Sequence, residues 1–68
     1  MIDASRIMPE QKMKDVEDGD CWFEGIWKGN DSYLVTRVFW NGVYYDTPEE
    51  DDVIGTIIKT RWYYLELM

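Results

Sequence analysis

The sequence predicts a small, mainly β protein built on an antiparallel meander. Three observations support this class: an Asn41-Gly42 pair between two strand-like runs, a second group of turn-forming residues at 29–32, and strand-favouring aromatic and β-branched residues around both. Asn-Gly in that context is a strong hairpin signal, because a type I′ turn needs positive φ at both central residues. We expect four to five strands, arranged as a meander or as an SH3-like curled sheet.

The two turns fix which side chains stand opposite each other. The Asn41-Gly42 turn pairs Trp40 with Val43, Phe39 with Tyr44, Val38 with Tyr45 and Arg37 with Asp46. A loop at 29–32 then pairs Lys28 with Tyr33, Trp27 with Leu34, Glu24 with Arg37, Phe23 with Val38 and Trp22 with Phe39. The segment 21–46 is therefore predicted to form three consecutive antiparallel strands.

This register gives the predicted sheet two different faces, since side chains alternate with period two along a strand. One face carries an aromatic row of Trp22, Phe39 and Tyr44 beside a charged row of Glu24, Arg37 and Asp46. The other face is almost purely apolar and is the predicted core side; its members are Cys21, Phe23, Trp27, Leu34, Val38, Trp40, Val43 and Tyr45.

The flanking segments allow more than one structure. Pro9 suits the first turn of a helix, so the sequence also allows a short N-terminal helix over residues 9–17. Residues 53–58 and 61–67 are rich in strand-forming side chains, and in the latter Tyr63 alternates with Trp62 and Tyr64. They are interpreted as one long strand bent near Gly55 or as two strands broken at Lys59.

Length and composition set the outer limits. Residues 1–68 are expected to form a single domain, which is small enough to be marginally stable unless it associates with a partner. The single cysteine, Cys21, is interpreted as a reduced core residue. We expect no membrane span and no signal peptide, hence a cytoplasmic protein.

The net charge of −7 is concentrated in two acidic clusters, residues 15–20 and 46–52. A nucleic-acid binder needs cationic groups to displace counterions, so direct binding to DNA or RNA is not expected. The acidic excess instead favours, as partner, a larger protein with a basic surface.

An enzymatic role is not expected, and neither is a cofactor or a metal. The chain has no histidine, which removes the commonest general base and metal ligand at neutral pH. The acidic stretch at 15–20 fails the calcium-loop template, because counting Gly19 as the sixth position places Lys14 first and Val16 third. No glycine-rich phosphate loop is present.

Four Trp, five Tyr and two Phe are more aromatic side chains than so small a core can hide. Trp22, Phe39 and Tyr44 are either covered, as a second small core, or partly exposed as a binding surface, and the sequence leaves both open. The predicted partner-binding residues are Trp22, Phe39, Tyr44, Asp46, Glu49, Glu50, Asp51 and Asp52.

These features favour a non-enzymatic protein-binding module. The first hypothesis is an inhibitor or modulator of the phage or mobile-element type, which blocks a basic, nucleic-acid-binding surface of a larger protein. Two alternatives remain: a homo-oligomeric structural β-module, and a small-ligand-binding β-barrel lined by Trp and Tyr. The first needs a heterologous partner, the second association with itself, and the third a ligand.

Overall fold

The structure is a computed structural model that describes residues 4–17, 20–60 and 65–68. In these residues the chain forms a 3-10 turn at Ala4–Arg6 and six strands. The strands are β1 (Met13–Asp15), β2 (Cys21–Gly29), β3 (Ser32–Trp40), β4 (Val43–Tyr45), β5 (Ile57–Lys59) and β6 (Leu65–Leu67). No helix in this described part is long and apolar enough to cross a lipid bilayer.

All strand pairs are antiparallel, and the sheet runs in the order β4-β3-β2-β1-β6, with β5 pairing the other end of β3. The predicted mainly-β class and the antiparallel meander are confirmed, with six strands among the described residues rather than four or five. β5 pairs with β3 and β6 pairs with β1, so among the described residues these are two separate strands and not one bent strand.

The first hairpin has the predicted register. Asn41 and Gly42 have φ values of 50° and 85°, as a type I′ turn requires. The ladder joins Val38 to Tyr45, Phe39 to Tyr44 and Trp40 to Val43. β4 ends at Tyr45, so Asp46 lies just beyond the ladder.

The second hairpin follows the predicted register only in its first half. Trp22 pairs with Phe39, Phe23 with Val38 and Glu24 with Arg37, all as predicted. Beyond Glu24 the register shifts, because Gly25 pairs with Val35 and leaves Thr36 as the extra residue of a bulge. The predicted pairs of Trp27 with Leu34 and of Lys28 with Tyr33 are therefore wrong, since Trp27 stands opposite Tyr33.

The bulge changes which side chains of β3 enter the core. Tyr33 and Val35 are fully buried, whereas Leu34 is only partly buried. The buried apolar cluster consists of Ile7, Met13, Cys21, Phe23, Tyr33, Val35, Val38, Ile54, Ile58 and Leu65. A one-residue shift moves the side chains beyond it to the opposite face of the sheet. This explains why Tyr33 and Val35 are buried and Leu34 is not.

Two predicted core residues, Trp40 and Val43, are exposed by 44% and 48%. They lie beside the Asn41-Gly42 turn, at the end of the hairpin that β5 does not reach. β5 pairs with the opposite end of β3, and the backbone of Val35 is hydrogen-bonded to both Gly55 and Thr56. Ile54 and Ile58 thus pack on one end of the core face, while the end next to the Asn41-Gly42 turn stays exposed.

The N-terminal segment lies along the edge of β2 and closes the core there. The amide of Trp27 donates to the carbonyl of Pro9 at 3.0 Å, and the hydroxyl of Tyr33 donates to the carbonyl of Gln11. A turn at Pro9 is followed by β1, so the short helix that the sequence allowed over residues 9–17 is not formed. Burial, and then the nearby charge of Glu24, raise the pKa of the Tyr33 hydroxyl.

Candidate functional site

The predicted aromatic row is a contiguous cluster on the outer face of the sheet, the face opposite the core. Trp22 stacks on Phe39 with ring centroids 5.0 Å apart and 29° between the ring planes. Tyr44 meets both rings edge-on, at 5.0 Å from Phe39 and 5.5 Å from Trp22. Each of the three strands β2, β3 and β4 therefore supplies one member, as the predicted register required.

Two cations lie against this aromatic cluster. The Nζ atom of Lys12 lies 4.8 Å from the centre of the Trp22 ring, and the guanidinium of Arg37 lies 4.4 Å from the centre of Tyr44. Arg37 also pairs with Glu24 at 3.5 Å, which is the pair predicted for the charged row. These contacts hold the long cationic side chains across the rings while their charges remain near the surface.

The cluster continues along the sheet into a charged strip. Lys14 of β1 pairs with Trp22, and Glu66 of β6 pairs with Lys14, so both follow the aromatic side chains on the same face. Lys14 and Glu66 are exposed. The outer face therefore changes from aromatic at β4 to charged at β6, which resembles the apolar centre and polar rim of protein interfaces.

The cluster is neither fully buried nor fully exposed. Tyr44 is 45% exposed, while Trp22 and Phe39 are half-buried. Sequence reasoning left open whether the flanking segments cover these rings. Among the described residues, Lys12 lies across the Trp22 ring and Arg37 across the Tyr44 ring. Tyr44 nevertheless keeps nearly half of its surface open to solvent.

The acidic segment 46–52 is exposed apart from Asp51, and it begins with one helical turn. The amides of Glu50 and Asp51 both donate to the carbonyl of Thr47, and the Thr47 hydroxyl donates to Oε1 of Glu50 at 3.0 Å. The same carboxylate accepts from the amide of Asp46. The Thr47 hydroxyl and then the Asp46 amide lower the pKa of Glu50.

This turn is a feature that the strand analysis of the sequence missed. The run Thr47-Pro48-Glu49-Glu50 has the capping-box pattern of a helix start, with proline at the first helical position. The pattern could have predicted a helical turn at this place. As a result, the acidic segment is a shaped turn and not an irregular linker.

The acidic turn is tied directly to the core. The carboxylate of Asp51 accepts from the amide of Val53 at 3.1 Å, and the Asp51 carbonyl accepts from the amide of Ile54. Ile54 is buried and Val53 packs against the core cluster. Of the predicted binding residues in this loop, Glu50 and Asp51 thus shape the turn, while Asp46, Glu49 and Asp52 are exposed.

Some sequence predictions fall outside the described residues. These are the alternation of Trp62, Tyr63 and Tyr64, and the Asp18 and Gly19 positions of the first acidic cluster. Within the described ranges, no group of three or more Cys, Asp or Glu side chains is arranged to hold a metal ion.

Comparisons of the chain with protein-family models, with curated proteins and with solved structures find no match.

Proposed function

We propose that this chain is a non-enzymatic protein-binding module, an inhibitor or modulator that docks on a larger protein with a basic surface. The observation that supports this most directly is the aromatic cluster of Trp22, Phe39 and Tyr44, packed ring against ring on the outer face of the sheet. Tyr and Trp are enriched among the residues that contribute most to binding.

The cluster is suited to binding because it is already ordered. Tyr44 is held by two neighbouring rings and by Arg37, so little side-chain entropy remains to be lost when a partner covers it. Lys12, Arg37 and Glu24 surround the rings and supply the polar rim that interfaces have around an apolar centre. The three rings would then act as one rigid anchor.

The acidic turn adds long-range attraction towards a basic partner. Glu49 and Asp52 are exposed, and the turn around them is fixed by Thr47 and Glu50. Exposed charges raise the rate of encounter more than they prolong a complex. These carboxylates would resemble the phosphates of a nucleic acid, so the target would be a basic surface that otherwise holds nucleic acid. A phage or mobile-element inhibitor acting in the cytoplasm is the setting we propose.

A homo-oligomer is the second candidate, and the edge of the sheet favours it. β4 is an outer strand, and Trp40, Val43 and Tyr44 are all exposed near it. Against it stand the net charge of −7 and the Glu50 carboxylate, which accepts from the Asp46 amide just beyond this edge. Repulsion between two copies therefore makes a basic partner the stronger candidate.

The test begins with affinity capture from the cells that encode the chain, followed by titration calorimetry with the purified partner. Replacing Tyr44 with alanine should weaken binding by about 2 kcal/mol, or roughly thirtyfold, because the anchor is lost. The matched control is Ile26→Ala, since Ile26 is similarly exposed, at 40%, but lies outside the cluster. This control should bind normally.

Stability is measured on the same variants to separate binding from folding. Tyr44→Ala loses two edge contacts between rings, each worth about 0.5–1.5 kcal/mol, so it should still be folded at room temperature. A folded Tyr44→Ala variant that binds as tightly as the wild type contradicts the proposal. A concentration-dependent dimer in sedimentation, with no captured partner, favours the homo-oligomer instead.

A further inference from the structure

The strand β6 lies at an outer edge of the sheet, and no strand among the described residues pairs with its far side. The sheet order ends at β6, which follows β1. The two strands are antiparallel, with Glu66 opposite Lys14. An edge strand of this kind presents backbone donors and acceptors to a further strand.

The hydrogen-bonding pattern shows which backbone groups of β6 point to that open side. The amide of Met68 donates to the carbonyl of Lys12 at 3.1 Å, so this pair is hydrogen-bonded. Hydrogen-bonded and non-hydrogen-bonded pairs alternate along an antiparallel ladder. Glu66 therefore bonds to β1 as well, while the N–H and C=O groups of Leu65 and Leu67 point away from β1.

The side chains of β6 give this edge two different faces. Leu65 is 1% exposed and Leu67 packs against the core cluster, so both lie on the apolar side of the sheet. Glu66 lies on the outer face and is exposed. Its carboxylate forms no ion pair with Lys14 or with any other residue that the structure describes. The edge thus alternates apolar, acidic and apolar side chains.

The charge of Glu66 decides between a second copy of this chain and a different strand as the occupant. If two copies paired antiparallel through Leu65 and Leu67 of each, the two Glu66 side chains would stand directly opposite each other. The Cα atoms of such a non-hydrogen-bonded pair are only about 4.5 Å apart, and like charges at that position are destabilising. A lysine or arginine at the same position is instead attracted to the carboxylate.

The opposite edge of the sheet, at β4, is less open to a further strand. The amide of Asp46, just beyond β4, already donates to the Glu50 carboxylate. Charged groups at an edge are a common protection against pairing with another strand. The backbone groups of Leu65 and Leu67 have no such cap in the part of the chain that the structure describes.

We propose that β6 takes up an extended segment of a partner protein, paired antiparallel, with lysine or arginine opposite Glu66. Apolar residues of that segment stand opposite Leu65 and Leu67. The backbone groups supply the hydrogen bonds of the added strand, and the alternating side chains supply its selectivity. This inference goes beyond the proposed function, because it assigns a second binding surface that does not include the aromatic cluster.

The test uses short capped peptides as probes, followed by NMR titration of the isotopically labelled protein. The probe is Thr-Val-Lys-Val-Thr, and it should give saturable shifts at the amides of Leu65, Glu66 and Leu67. One comparison peptide carries glutamate in place of lysine, and it should bind more weakly by about threefold or more, because like charges then stand opposite each other.

N-methylated peptides show whether the backbone of the probe pairs with β6. Methyl groups on both valine amides remove the donors that face Leu65 and Leu67, so this peptide should lose binding. The matched control is the peptide methylated on its lysine amide, which points away from β6 in the antiparallel arrangement and should bind as the probe does.

Variants of the protein assign the charge preference to Glu66. Glu66→Lys should reverse it, so that the glutamate peptide binds more tightly than the lysine peptide, and Glu66→Gln should bind both peptides equally. Glu10→Gln removes an exposed carboxylate outside β6 and should leave binding unchanged. In hydrogen exchange of the free protein, the amides of Leu65 and Leu67 should exchange quickly and the amide of Glu66 slowly.

The outcomes separate this inference from the proposed function. Equal binding of the lysine and glutamate peptides overturns the inference, as does undiminished binding of the peptide methylated at its valines. Protected amides at Leu65 and Leu67 in the free protein also overturn it, since the edge would already be paired. Tyr44→Ala should bind the probe as the wild type does, because Tyr44 lies in β4 at the opposite edge. Shifts centred on Trp22 and Tyr44 would overturn the inference while leaving the aromatic cluster as a binding surface.

Discussion

Replacing Gly25 with alanine should strongly destabilise the fold, because the bulge brings the backbone of β3 against this residue. A Cβ atom on Gly25 would lie 2.0 Å from the carbonyl oxygen of Leu34 and 2.9 Å from Cε1 of Tyr33. An ordinary contact needs about 3.4 Å or more, so the strands must separate by more than an ångström. The obstacle at 2.0 Å is backbone, which cannot move away as a flexible side chain could.

The cost can be compared with the stability of the whole domain. Overpacking a core costs about 1–3 kcal/mol, and a clash with backbone in the central hairpin lies at or above the upper end. A chain of 68 residues is stabilised by roughly 3–10 kcal/mol in total. We therefore expect Gly25→Ala to lose about 3 kcal/mol or more of the free energy of unfolding. The variant should be largely unfolded if the stability of the wild-type domain lies at the lower end of that range.

Gly42→Ala is the matched control, since it is the same chemical change with nothing within 4 Å of the new Cβ. Its φ of 85° makes alanine strained there, at a cost of about 1 kcal/mol. Both variants change the unfolded chain equally, so their difference gives the cost of the clash at Gly25 less the strain at Gly42. Urea unfolding followed by tryptophan fluorescence measures it, and the reasoning fails if the two variants differ by less than about 1 kcal/mol.

Three further predictions concern pH and charge. Burial raises the pKa of the Tyr33 hydroxyl above its ordinary 10.0. The contribution of this hydroxyl to the free energy of unfolding should therefore be fully present below about pH 10 and be lost above it. Tyr33→Phe should flatten that alkaline loss of stability in thermal unfolding. The pKa of Glu50 is lowered, so the contribution of its carboxylate to stability is present near neutral pH and is lost as the pH falls through the lowered value. Thr47→Ala should raise this pKa in a carboxyl NMR titration. An unchanged pKa would refute the hydrogen bond between Thr47 and Glu50. Glu49→Gln with Asp52→Asn should slow association with the partner and flatten its salt dependence in stopped-flow measurements, while association at the wild-type rate at low salt would reduce the loop to a solubilising turn.

The sequence predicted the aromatic cluster because its signals are local. A type I′ turn at Asn41-Gly42 admits only one register, and that register places Phe39 beside Tyr44. The second turn then adds Trp22 through a short, unbroken stretch of ladder. Pairs near a tight turn depend on few residues, so they could be read without any knowledge of the core.

The bulge at Thr36 and the exposure of Trp40 were not predictable in the same way. The bulge places Tyr33 and Val35 in the same buried cluster as Ile58 of β5, a strand more than twenty residues further along the chain. The exposure of Trp40 follows from the same arrangement, since β5 pairs only with the far end of β3, at residues 32–34. These outcomes depend on contacts between segments that the sequence order keeps apart.

The sequence by itself determined the fold class, the first hairpin, the aromatic cluster and the placement of charge in two clusters. Local backbone preference and the period of two in a strand are sufficient for each of these. Only the tertiary structure decided that one half of the second hairpin shifts its register, that β5 and β6 pair with different strands, and that Tyr33 is buried while Trp40 is exposed. The reason is physical: where a side chain is buried depends on which distant segment covers it, and that choice is made by packing the whole core.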